Sequence, residues 1–104
     1  MGDTRIDLDA QAWEATAPGA RQKRVERGGK RVRLVEFGVE FVEPDWCLKG
    51  HVGYVLAGEL ELGFEDRAER YTPGAAFVIR PGGPDKHKAR AVGATARLLL
   101  VEDV

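Results

Sequence analysis

The side chains of this chain that could do chemistry are few: its two histidines, His51 and His87, its single cysteine, Cys47, and nearby carboxylates, of which Asp45 is the nearest to Cys47 and His51. Asp45, Cys47 and His51 share sequence parity, and along an extended chain equal parity places side chains on one face. His87 opens a second such face with Ala89 and Ala91, while Lys86, Lys88 and Arg90 take the opposite one. Small neighbours leave room beside an imidazole, so His87 is expected to point into a tapered interior, and Gly53 and Ala57 leave similar room in phase with His51. A lone His is more often a satisfied core or surface residue. Here all three candidates would have to converge. Two imidazoles and a thiolate, with Asp45 in reserve, suit zinc or a late first-row metal better than magnesium. Zinc, iron, manganese and nickel are the divalent ions expected, and no organic cofactor is implied. Trp46 and Tyr54 are expected as walls of a pocket for a small organic ligand, with His87 as its polar handle. Cys47 has no visible His pairing with an orienting third group, which argues against covalent catalysis. Gly82-Gly83 sits in a turn and not ahead of a helix, so it is no phosphate cradle.

The elements that must position these residues are short strands. Residues 1–20 read as an N-terminal arm, with Asp9 capping one turn, Trp13 as a packing anchor and Pro18-Gly19 as the stop. Residues 21–104 read as one β domain. Gly28-Gly29 supplies the positive φ angles of a two-residue hairpin turn. Val35, Phe37, Val39 and Phe41 alternate with polar or small residues, the signature of a strand with one buried face. Val32 and Leu34 fall in the opposite phase, which calls either for a bulge near Leu34 or for partial cover on both faces. Further strands are expected over 51–56, 60–64, 68–71, 75–79, 86–92 and 96–102, with a hairpin pivoting near Gly58 and turns at Glu65-Asp66, Pro73-Gly74 and Pro81 to Pro84. Seven to nine strands and no helical periodicity predict an all-β sandwich or barrel.

The run from Asp45 to Gly58, and in particular Tyr54-Val55-Leu56-Ala57-Gly58-Glu59-Leu60, resembles the first motif of the cupins, G-x5-H-x-H-x3/4-E-x6-G. Counted back from Gly58, His51 falls where that family carries its Glu, Cys47 at the second His position and Asp45 at the first. Gly74, Pro81, Gly83 and His87 resemble the second motif, G-x5-P-x-G-x2-H-x3-N, with one extra residue in each of two spacers. Only His87 keeps the usual ligand type. The resemblance spans Asp45 to about Arg90 and implies a cupin-like jelly-roll barrel of short antiparallel strands whose motifs line a metal pocket. It implies a protein that binds a small polar ligand in the barrel over a divalent metal, as a metal-dependent oxygenase or isomerase in which Asp45 shuttles protons. The alternative is a non-catalytic small-molecule binding or sensing module without metal.

Composition bounds the rest. The 104 residues hold 16 Lys+Arg against 17 Asp+Glu, and 43% are hydrophobic. That is one packed domain. A net charge of -1 argues against bulk nucleic-acid binding, which relies on surplus positive charge. Seven basic residues crowd 21–33 and eight acids 34–66. Without interleaved aromatics this reads as a strand edge guarded by charge. One Cys permits no internal disulfide, and the first thirty residues hold no apolar run long enough for a signal or a membrane span. A cytoplasmic address is therefore expected, with a small molecule as partner and neither nucleic acid nor membrane. A homodimer is also expected, because Ile6, Leu8 and Trp13 have no obvious partner in their own sequence neighbourhood.

Overall fold

The computed structural model describes residues 4–104. The first three residues of the expected arm lie outside the described residues. Nine strands form: β1 (Glu14–Ala17), β2 (Ala20–Arg27), β3 (Lys30–Phe37), β4 (His51–Ala57), β5 (Leu60–Phe64), β6 (Ala68–Tyr71), β7 (Ala76–Ile79), β8 (His87–Ala91) and β9 (Ala96–Asp103). A single 3-10 turn, Gly83–Asp85, precedes β8. Among the described residues no helix is long and apolar enough to cross a membrane.

The strands make two antiparallel sheets, one of six in the order β1-β2-β3-β9-β4-β7 and one of three in the order β6-β5-β8. The all-β expectation holds, but the sheets are not closed into a barrel. Between Phe37 and His51 the chain forms no ladder beyond an isolated bridge at Cys47.

Local chemistry explains the register. Gly28 and Gly29 sit at φ 60° and 79°, the pair of left-handed values that a two-residue hairpin turn demands. β2 and β3 then pair without a slip from Arg27↔Lys30 to Ala20↔Phe37. Val32 and Leu34 need no bulge: they pair with Val101 and Leu99 of β9 on the outer face and are half-buried there. The β3 strand stops at Phe37 because Gly38 N–H turns to Gly19 O at 2.7 Å and Phe41 N–H to Gly38 O at 3.1 Å. Phe41 is nonetheless buried, its ring stacked on Phe37 at 4.6 Å.

Gly58 is a crossover, where the sequence predicts a hairpin. It has φ 74° and lies against the Thr95 carbonyl, so only a residue without Cβ lets the chain leave β4 in one sheet and enter β5 in the other. The inner faces of the two sheets meet in a core centred on Val55, Leu60, Leu62 and Leu98, each 2% exposed or less. A fully buried Leu is worth about 2 kcal/mol. The arm lies on the outer face over β2: Lys23 Nζ donates to Asp9 O, Arg27 to Arg5 O, and the Arg21 guanidinium sits 4.1 Å from the Trp13 ring centroid. Its last residues, Glu14–Ala17, are themselves a strand of the large sheet.

Candidate metal centre

Three segments deliver the reactive side chains to one end of the core. His51 is the first inward residue of β4 and is 7% exposed. His87 opens β8 and is 3% exposed. Cys47 has no strand of its own, but it exchanges both main-chain hydrogen bonds with His87, Cys47 N–H to His87 O at 2.8 Å and His87 N–H to Cys47 O at 3.1 Å. Residues paired in this way project to the same side of the ladder. Cys47 Sγ is 3.6 Å from His51 Nε2, and the two imidazoles meet edge to face with centroids 5.3 Å apart.

The ligand atoms of Cys47, His51 and His87 all lie within 4.8 Å of one another. A tetrahedral ion with a metal–sulfur bond of about 2.3 Å and a metal–nitrogen bond of about 2.0 Å sets S and N about 3.5 Å apart. The Cys47–His51 separation already matches that edge, so the donor set fits a divalent ion. The far nitrogen of each ring faces an oxygen. Nδ1 of His87 donates to the Asp85 carbonyl at 3.0 Å. Nδ1 of His51 lies 2.7 Å from Glu102 Oε2, a close approach without the alignment of a hydrogen bond. Outer acceptors of this kind direct a ligating His.

The electrostatics agree with this arrangement. Hydrogen bonds from His51 and then His87 pull the Cys47 thiol down to about 5, against the cost of its burial. Burial opposes a charge on His87, yet the Cys47 thiolate and the Asp85 carbonyl outweigh it and raise the imidazole above its ordinary value. The triad opens on a cavity of about 360 Å³ walled by side chains that include Phe37, Phe41, Leu62, Phe77 and Leu100. Glu43 lines the same cavity, its Oε1 accepting the Ala89 N–H at 2.8 Å. Desolvation holds its carboxyl above the usual range.

No family model and no curated protein matches the sequence. Solved structures do. KdgF from Halomonas sp. superposes with a TM-score of 0.78 over 99% of this chain and 94% of that one, at 25% identity. The polyketide cyclase RemF from Streptomyces resistomycificus gives 0.79 over 98% and 80%, at 23% identity. A sugar phosphate isomerase from a cupin superfamily, from Silicibacter pomeroyi, gives 0.76 over 96% and 75%, at 18% identity. The chain has a cupin fold.

Within this fold the sequence-predicted residues separate into two groups. Cys47, His51 and His87 come together. Asp45 does not: it is exposed and does not line the cavity, because 38–50 is irregular and parity along it carries no facing information. The carboxylate that enters the cavity is Glu43, two residues earlier. Trp46 lies outside the cavity, 38% exposed, with Lys86 and Lys88 ammonium groups 5.1 and 5.0 Å from its ring centroid. Tyr54 is 45% exposed on the outer face, where it pairs with Leu99 and Ala76. Its parity is opposite to that of His51, so it points away from the triad. Glu43 and Glu102 are the carboxylates at the site that the sequence does not single out. For Glu102 a signal existed, since it occupies the inward phase of β9 after Ala96, Leu98 and Leu100.

Proposed function

We propose that this cupin binds a divalent metal ion through Cys47, His51 and His87, and that it catalyses a proton shift, an isomerase-type reaction, on a small organic ligand held in the adjoining cavity. The observation that supports this reading is the convergence of three ligand atoms at one end of an apolar cavity, with both histidines anchored from behind. When bound, the ion supplies Lewis acidity that polarises a ligand oxygen. The chain's own residues supply the rest. Phe37, Phe41, Phe77 and the leucines hold the ligand's carbon skeleton and exclude water. Glu43 Oε1 is taken by the Ala89 N–H, so Oε2 is the oxygen left to exchange a proton with the ligand. A buried carboxyl with a raised pKa is suited to that work near neutral pH.

The test is metal content and thermal unfolding of tag-free protein after loading with zinc, iron(II), manganese or nickel and dialysis. The wild type is expected to retain about one ion per chain. His51→Ala and His87→Ala should each lose it while staying folded, since three protein ligands reduced to two hold an ion too weakly to survive dialysis. A wild type that retains no ion, and whose melting temperature ignores all four metals, overturns the metal centre and leaves a ligand-binding module.

A further inference from the structure

We infer that the ligand of this cavity is a small monocarboxylic acid on an apolar skeleton, a 2-hydroxy or 2-oxo acid whose carboxylate pairs with the Lys49 ammonium; this rests on the ligand-binding reading proposed above. Lys49 lies two residues from Cys47 and two from His51, so its Cα is at most about 7 Å from either of theirs. It lines the same cavity and is exposed, which puts it at the mouth beside the triad. Lys30 and Lys86 each hold a carboxylate, Asp103 and Glu65. Among the described residues no acid pairs with the Lys49 ammonium. The other cation on the cavity wall is Arg33, and its guanidinium is already engaged. Nη1 donates to Gln22 at 3.0 Å and Nη2 to Glu102 Oε2 at 3.3 Å, while Nε stands 2.9 Å from Glu102 Oε1. Glu43, the one carboxyl that lines the cavity, pairs with neither cation; its Oε1 accepts the Ala89 N–H. One uncompensated positive charge is left at the mouth, and a single negative charge on the ligand matches it.

The rest of the wall decides the skeleton. Apart from the triad it is largely apolar, with Phe37, Phe41, Phe77, Leu62, Leu98 and Leu100. A sugar placed there would bury several hydroxyls with little beyond the Thr16 hydroxyl and the free oxygen of Glu43 to match them. Each hydroxyl buried without a partner is costly. An aromatic or branched aliphatic tail has nothing to leave unmatched and gains by burial. With the carboxylate held next to Cys47 and His51, the adjoining carbon of the ligand comes to the triad and to Glu43 Oε2. The oxygen on which an isomerase-type reaction acts therefore belongs on that carbon, which is what makes the ligand a 2-hydroxy or 2-oxo acid.

Three probes separate charge from skeleton. Phenyllactate carries both features, phenyllactamide keeps the skeleton without the charge, and gluconate keeps the carboxylate on a polar skeleton. Their binding is read by isothermal titration calorimetry on zinc-loaded and metal-free wild type, on Lys49→Met and Lys49→Arg, and on Lys88→Met as a control. Lys88 is a cation outside the cavity, 5.0 Å from the Trp46 ring centroid. Neither lysine has an ion pair to lose, so the variants should fold, and their melting curves check this.

Phenyllactate should bind the wild type, and phenyllactamide and gluconate should each bind it at least about 10-fold more weakly. Lys49→Met should lower the phenyllactate affinity about 10-fold and leave that of phenyllactamide within about twofold, and Lys49→Arg should restore most of the loss. Lys88→Met should bind as the wild type does. Added salt should weaken phenyllactate on the wild type and have little effect on Lys49→Met, since screening acts on the charge pair. The inference fails if phenyllactate binds neither form of the wild type, if phenyllactamide or gluconate binds as tightly as phenyllactate, or if Lys49→Met keeps the wild-type affinity. It fails equally if Lys88→Met loses as much as Lys49→Met. A wild type that retains no zinc overturns the metal centre instead, and the metal-free titrations judge Lys49 separately, because its pairing with a carboxylate needs no ion.

Discussion

The Cys47 thiol offers the most direct measurement of whether the triad is electrostatically coupled. The perturbation is pH, applied to protein stripped of metal by chelator. A thiol with the ordinary value of 9.0 is about 1% ionised at pH 7, whereas one drawn down to about 5 is about 99% thiolate. The hydrogen bond from His51 is the largest cause of this shift and that from His87 follows. Thiolate absorbance and the rate of iodoacetamide alkylation, each followed from acid to alkaline pH, should both show a midpoint near 5. His51→Gln and His87→Gln should each move it upward, the first by more. The shift also fixes the pH profile of folding. Because the folded value of Cys47 lies below its unfolded one, its contribution is complete above about pH 9 and is lost as pH falls toward 5. The imidazole of His87 is raised, so its contribution is complete below about 6.5 and is lost as pH rises through its folded value. The two are halves of one interaction, worth most where Cys47 is thiolate and His87 imidazolium. Because the Cys47 shift is the large one, the melting temperature of metal-free protein should rise as pH increases from about 5 and level off near pH 9. A titration midpoint near 9, unmoved by either histidine variant, would refute the coupling.

Two other changes test the scaffold. At Gly53 a Cβ would overlap the Phe77 ring, so Gly53→Ala should cost about 1–3 kcal/mol by overpacking and lower the melting temperature by about 4–8 °C per kcal/mol for a domain of this size. An unchanged melting curve would show that Phe77 yields freely. On the outer face of the large sheet, Val52, Tyr54 and Leu56 of β4 and Val78 of β7 are 51, 45, 44 and 76% exposed, away from the arm's contacts on β2. Sheet-to-sheet pairing of two copies there should give a dimer by light scattering at micromolar concentration, and Val52→Glu should dissociate it. A monomeric wild type would refute that pairing.

Legibility in the sequence followed the range of the interactions. Turns set by one or two residues were readable: Gly28-Gly29 carries its hairpin in its backbone preferences alone. The β4–β5 connection was not, because whether a glycine turns a strand back or hands it to another sheet depends on what packs against it, here the Thr95 carbonyl. Parity placed His51 and His87 correctly because both lie on real strands, and the same parity argues against Tyr54. It failed for Asp45 because 38–50 is held by turns and one long-range bridge to His87, a contact no local pattern encodes. Cys47 was found by rarity and by its place in the motif, not by lying on a strand. The two glutamates differ in kind. Glu43 sits in an irregular segment and resembles any other of the chain's acids until the cavity is seen. Glu102 stands in the apolar phase of a central strand, where burial is dictated by Leu98 and Leu100 on the same face. A carboxylate in such a position must have charged partners, and the inward positions of the flanking strands narrow them. Arg31 and Arg33 occupy the inward phase of β3 and His51 that of β4, the two neighbours of β9. An acid in the apolar phase of a core strand therefore points to the site more strongly than an acid beside the reactive residues in a loop, because in the core its partner is obligatory.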